Sequence, residues 1–154
     1  MILPEDAANA EIANGFLLGG VPATNYGKIQ ILPEAGGWSA AVDRFCNNEA
    51  AAMRKFDQRA MILLLDFDND SGRLAHIKGR IPVDLSNRVF ILGVKSEPEG
   101  LKRALNEHLE QLGSIMARDC RSPKAGIWEH ELLIHNLSEI NRLKAGSWDS
   151  LIFT

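Results

Sequence analysis

Cysteine is scarce in this chain. Cys46 and Cys120 stand alone among 154 residues, and their separation fits no disulfide framework, no CxxC pair and no zinc spacing. They read as two buried free thiols in a reducing cytosol. Long hydrophobic runs are missing too, since nothing approaches the roughly 20 apolar residues of a membrane span. The start, Met1-Ile2-Leu3-Pro4-Glu5-Asp6, has no basic flank and only a short apolar run, so no signal peptide fits. The expectation is a cytoplasmic protein with no membrane partner. A basic excess is absent as well: 17 Lys and Arg face 20 Asp and Glu, a net charge of −3. That balance argues against a histone-like or polybasic nucleic-acid binder and leaves room for a local basic patch. Neither a GxSxG elbow nor a Cys/His nucleophile pattern occurs.

What is present points to an ordinary folded domain. Hydrophobic residues make up 45% and charged residues 24%, close to globular averages. The length suits one domain, residues 1–154, without repeats, low-complexity tracts or linkers. Charge is uneven along it: residues 1–70 hold 5 basic and 10 acidic side chains, and residues 71–154 hold 12 and 10.

Short apolar runs alternate with amphipathic ones. Ile2-Leu3 reads as a clipped first strand, and Ala7 to Leu18 as a helix stopped by Gly19-Gly20. Lys28 to Leu32 is a second strand candidate, closed by Pro33. Gly36-Gly37 opens a long helical segment with Ala41, Val42, Phe45, Met53 and Phe56 at helical spacing. Ala60 to Leu65 is an unbroken apolar run, as expected of a central parallel strand covered on both faces. A polar stretch from Asp66 to Asn87 leads to a fourth strand, Val89 to Val94. Ser96-Glu97-Pro98-Glu99 carries a capping-box pattern, Ser96 at the N-cap and Glu99 at N3, before a helix through about Met116. Arg121 to Gly126 reads as a loop, Trp128 to Leu143 as a last helix, and Leu151-Ile152-Phe153 as an edge strand or docked tail. The fold class is therefore α/β, a single domain with a mainly parallel four-stranded sheet flanked by helices.

In open parallel sheets, sites form outside the carboxyl ends of the strands. That rule selects Glu5-Asp6, Glu34 to Gly37, the cluster Asp66-Phe67-Asp68-Asn69-Asp70, and Lys95 to Glu99. In the cluster, alternate carboxylates can gather around one hard cation while Phe67 points into the core. Mg²⁺ or Mn²⁺ suits one or two carboxylates completed by waters and phosphate oxygens. An EF-hand does not fit, because its sixth and twelfth positions fall on Ser71 and Ile77. If the first and third strands are neighbours, Glu5 stands opposite Asp66 and Asp68. Arg73, His76, Lys78 and Arg80 follow in a polar loop placed to meet phosphate oxygens, and Lys95 follows the fourth strand. Each signal also has a plain reading: acids solvating a turn, Ser96 and Glu99 as an ordinary cap, Gly36-Gly37 as a helix start. His130 and His135 read as structural or surface residues, and Trp38, Trp128 and Trp148 as packing residues.

The order of strand and Glu5, then Gly36-Gly37, then strand and Asp66-Phe67-Asp68, then strand and Ser96-Glu97-Pro98-Glu99 resembles the Toprim domain. That domain is shared by topoisomerases, bacterial primases and OLD-family nucleases, and the resemblance is nearest to the small OLD-like nuclease type. It covers roughly residues 1–115, leaving 116–154 as a C-terminal helical extension. The resemblance implies Glu5 as an acid-base or metal-binding residue and Asp66 and Asp68 as metal ligands. It makes Asp70 an additional acid and Glu97 or Glu99 a ligand of a second metal. It departs in three places: Glu5 is followed by Asp6 where the family has Gly, the second acid four residues on falls on Asn9, and no ATPase domain is expected in this chain.

Two functions stay open. One is Mg²⁺-dependent nuclease chemistry, with Glu5, Asp66 and Asp68 catalytic and Arg73, Lys78, Arg80 and Lys95 holding nucleic acid. The other is a non-catalytic Toprim-like module that pairs with a separate protein such as an ATPase. A haloacid-dehalogenase-like phosphatase is a weaker third reading, since that family also has a DxD, normally after its first strand.

Overall fold

A computed structural model describes residues 1–122, 124, 126–146 and 148–152. Three parallel strands form the sheet: β1 (Ile2–Pro4), β2 (Met61–Leu64) and β3 (Val89–Leu92), in that spatial order. The register sets Ile2 beside Ile62 and Phe90, and Leu3 beside Leu63 and Ile91. Alternate residues therefore face opposite sides. Leu3, Leu63 and Ile91 join one core with Phe45, Met53 and Ile77, while Phe90 and Leu92 join another with Ile12, Leu112 and Met116.

The expected strand at Lys28–Leu32 is absent. A 3₁₀ turn (Ala23–Lys28) occupies its start, and one isolated parallel bridge joins Ile31 to Ile2. Ile2 N–H donates to Gln30 O and Leu32 N–H to Ile2 O. The next rung would need an N–H from Pro4, which has none. Among the described residues the sheet therefore has three strands.

Helix α1 (Ala7–Gly20) runs through the glycines expected to stop it, and ends at Val21. Those glycines, together with Gly15, form the contact with α6 (Leu109–Arg121). A Cβ at Gly15 would lie 1.8 Å from the Glu110 carbonyl oxygen, and one at Gly20 would lie 2.0 Å from Ala117 Cβ. Packing overrides the usual breaker role of glycine here. The long segment after Gly37 is helical, as α2 (Trp38–Arg44), a π turn (Phe45–Glu49) and α3 (Ala50–Lys55).

Residues expected in a polar loop instead form α4 (Arg73–Arg80), which buries Ile77. The segment after β3 also differs from the expectation. Glu97, not Ser96, is the N-cap of α5 (Pro98–Leu105), with Pro98 in the first turn and no side-chain cap bond. Asn106 then takes a left-handed conformation (φ 52°) and separates α5 from α6.

The last expected helix starts late. Residues 126–129 and 134–136 are 3₁₀ turns, and α7 covers only Leu137–Ala145. The reason is the free edge of β3. Asn136 donates to Gly93 O (2.8 Å) and accepts from Gly93 N–H (3.1 Å), and Glu139 Oε2 accepts from Ile91 N–H (3.2 Å). Arg142 donates to Val89 O and, at 2.7 Å, to Glu139. Side chains at 136, 139 and 142 thus take the place of a neighbouring strand. A short α8 (Asp149–Ile152) follows, so Ile152 is helical rather than part of an edge strand. Phe153 lies outside the described residues. No helix among the described residues is long and apolar enough to cross a membrane.

Candidate metal and phosphate site

Pairing of β1 with β2 carries the chain past both strands to one rim. Glu5 N–H still donates to Leu64 O at 2.9 Å, continuing the ladder one residue beyond Pro4. The Glu5 side chain crosses the gap, and its Oε2 accepts from Asp66 N–H at 2.7 Å. The Glu5 carboxylate thus meets the Asp66 backbone, which sets the two acids at the same rim. Gly36 and Gly37 donate to Glu5 O at 2.8 and 3.2 Å. Their φ values, 86° and 138°, lie where a side chain is strained, and the turn delivers Trp38 N–H toward the Glu5 carboxylate.

Asp66 is 7% exposed. Its Oδ1 accepts from Asn9 Nδ2 at 2.9 Å, and the same amide reaches Asp6 Oδ1 at 3.1 Å. Asp6 also caps α1 by accepting from Asn9 N–H. Burial, followed by the Glu5, Asp6 and Asp68 carboxylates, pushes Asp66 up to about 7, with the Asn9 amide pulling the other way. Glu5 is raised as well, chiefly by burial and with help from Asp6 and Asp68, against the Asp66 and Trp38 N–H groups. Like charges crowded in a poorly hydrated place favour a bound proton, or a bound cation in its stead.

Beyond Asp66 the chain stays tied to the segment after β3. Phe67 N–H donates to Val94 O, Asp68 N–H to Ser96 O and Asn69 N–H to Lys95 O. Phe67 is buried, as its place between the acids suggested, with its ring 5.0 Å from His135. Asp68 and Asn69 both take left-handed conformations (φ 46° and 58°), which Asp and Asn tolerate better than other side chains. Arg73 folds back over this turn. It donates to Asp66 O at 2.9 Å and to Asp68 Oδ2 at 2.5 Å, with its guanidinium 5.0 Å from the Trp38 ring. The Trp38 ring also meets His76 in a T-shaped contact, with centroids 5.8 Å apart.

The remaining residues of the sequence reading lie apart from this group. Asp70 Oδ1 accepts from Gly72 N–H, Glu97 pairs with Arg103 at 3.4 Å, and Glu99 sits in the first turn of α5. Lys78 pairs with Glu139 at 3.1 Å and Arg80 with Asp43 at 2.6 Å. Lys95 is exposed. Asn9 and Trp38 frame the site without having been singled out for it. Asn9 registered only as a missing acid, and Trp38 only as a packing residue.

The donor set is all carboxylate oxygen, the chemistry Mg²⁺ and Mn²⁺ prefer, and such ions are held by as few as one or two carboxylates. Glu5 and Asp66 meet that requirement. Among the described residues no three His, Cys, Asp or Glu side chains are grouped to hold a metal by themselves. Compared with protein-family models, with curated proteins and with solved structures, the chain matches none.

Proposed function

We propose that this chain performs metal-dependent phosphodiester chemistry on nucleic acid, as a Toprim-like nuclease. The observation that supports the reading is the hydrogen bond from Asp66 N–H to the Glu5 carboxylate, which brings the acids that follow two neighbouring strands to one negatively charged rim. Mg²⁺ or Mn²⁺ held there would stabilise charge on the phosphate oxygens of the substrate. Glu5 and Asp66 would hold the ion, and Asp68 would be free to join them if Arg73 paired with a phosphate oxygen instead of its carboxylate. Glu5, whose proton affinity burial raises above that of an ordinary carboxylate, suits proton transfer at the reacting phosphate. Lys78, Arg80 and Lys95 enter as strand-holding residues through the sequence reading alone, Lys78 and Arg80 being paired with Glu139 and Asp43. Asp70, Glu97 and Glu99 enter as further acids through the family resemblance alone.

The test is nicking of supercoiled DNA and cleavage of single-stranded RNA with Mn²⁺ or Mg²⁺, in the wild type, Glu5→Gln and Asp66→Asn. Metal-dependent cleavage that both substitutions abolish supports the reading, and cleavage unchanged in both refutes it.

A second reading rests on the Arg73–Asp68 ion pair. An acid already neutralised by the chain's own arginine suits a non-catalytic Toprim-like module that binds a separate protein such as an ATPase. Absence of both cleavage and divalent-ion binding favours that module.

A further inference from the structure

Arg73 sits within the acidic rim rather than beside it. Its side chain is only 11% exposed. One of its nitrogens, Nη1, meets two oxygens at once, Asp66 O at 2.9 Å and Asp68 Oδ2 at 2.5 Å. A backbone carbonyl and a carboxylate converging on one point are ligands that a hard cation also takes. Among the described residues, no other Lys or Arg pairs with Glu5, Asp6, Asp66 or Asp68.

The guanidinium is not fully satisfied in this pose. Its Nε is buried and has no hydrogen-bond partner among the described residues, which carries a free-energy cost. Asp68 receives a single bond from it, whereas the guanidinium fork matches a phosphate with two bonds side by side. The Trp38 ring, 5.0 Å away, attracts the positive charge without dictating which oxygens it meets.

We propose that Arg73 is the phosphate-binding residue of this site, and that its pairing with Asp68 weakens divalent-ion binding until a phosphodiester draws the guanidinium away. The inference rests on the phosphodiester chemistry proposed above. A divalent ion on Asp68 Oδ2 and Asp66 O needs the positions that Nη1 now takes, and two cations at one point repel. An ion arriving alone has to break the ion pair. A phosphodiester arriving alone leaves Asp68 without its counter-charge. Bound together, each removes the cost of the other, and by linkage each tightens the other by the same factor.

Mn²⁺ is titrated by calorimetry into the wild-type chain and Arg73→Gln. Each titration is run in dimethyl phosphate, a simple phosphodiester, and in chloride at equal ionic strength. In the wild type the diester should tighten Mn²⁺ binding about tenfold, within the usual range of coupling between sites. Arg73→Gln should bind Mn²⁺ about tenfold more tightly than wild type in chloride and gain nothing from the diester. No diester effect in the wild type overturns the proposal, whether or not Arg73→Gln folds. A folded Arg73→Gln, checked by circular dichroism, that binds Mn²⁺ no more tightly than wild type overturns it as well, since an ion pair that only braces the turn gives that result. Absence of Mn²⁺ binding in both proteins does the same. Nicking assays on the same preparations keep the two proposals apart: cleavage without the coupling removes this one alone, and coupling without cleavage removes the nuclease alone.

Discussion

Glu5 Oε2 lies 2.7 Å from the backbone nitrogen of Asp66, so the side chain that follows β1 caps the backbone that leaves β2. Glu5 is therefore both a structural acceptor and a candidate ligand. Glu5→Gln keeps an acceptor for that N–H and should leave the fold intact. Cleavage dependent on Mn²⁺ should nonetheless fall by about 10²-fold or more, the scale of losing a proton-transfer or charge-stabilising group. Circular dichroism and a nicking assay on the same preparation check the two halves of this expectation.

Asp66 sets a pH dependence of stability. In the folded chain it keeps its proton up to about pH 7, whereas its ordinary value is 3.8. Between those values the native state binds more protons than the unfolded one, so stability falls as pH rises toward 7 and stays lowered above it. Asp66→Asn should flatten this slope and melt higher than wild type at pH 8, by about 1–3 kcal/mol. Denaturant melts at pH 5, 6, 7 and 8 measure it.

The contact between α1 and α6 gives a prediction in which propensity and packing oppose each other. Alanine normally stabilises a helix over glycine by about 1 kcal/mol. At Gly15 its methyl would fall 1.8 Å from Glu110 O, a backbone atom that cannot yield without moving α6. Gly15→Ala should therefore destabilise by about 2–4 kcal/mol. Urea melts decide the sign.

These cases show how far the residues could be read along the chain. Ala60 to Leu65 was legible as a central strand because a continuous apolar run needs no partner to be recognised. The meeting of Glu5 with Asp66 followed from topology once β1 and β2 were neighbours. Gly19-Gly20 misled because a breaker and a close-contact residue look alike without the opposing helix. Helical spacing over Trp128 to Leu143 misled because part of that segment serves the edge of β3, a demand no local pattern carries. Asn9 was invisible as a site residue, since an amide gains this role only from the two carboxylates that converge on it.

Glu139 tests the substitute for a fourth strand at that edge. Burial would raise its carboxyl, but hydrogen bonds from Arg142, Ile91 N–H and Lys78 hold it below the ordinary range. Its stabilising effect is thus present above the unfolded value near 4.5 and lost as pH falls through the lower folded value. Glu139→Ala leaves Ile91 N–H and the Arg142 guanidinium short of an acceptor, and should cost about 2–4 kcal/mol at pH 7. Thermal melts with hydrogen exchange at Ile91 report it.

Calorimetric titration of Mn²⁺ at pH 7, in two buffers of different ionisation enthalpy, bears most directly on the rim formed by Glu5 and Asp66. An ion entering there displaces the proton that Asp66 partly retains at this pH. The expected result is saturable heat that differs between the buffers in the wild type and disappears in Asp66→Asn. Flat dilution heats in both buffers would contradict a cation site on this rim.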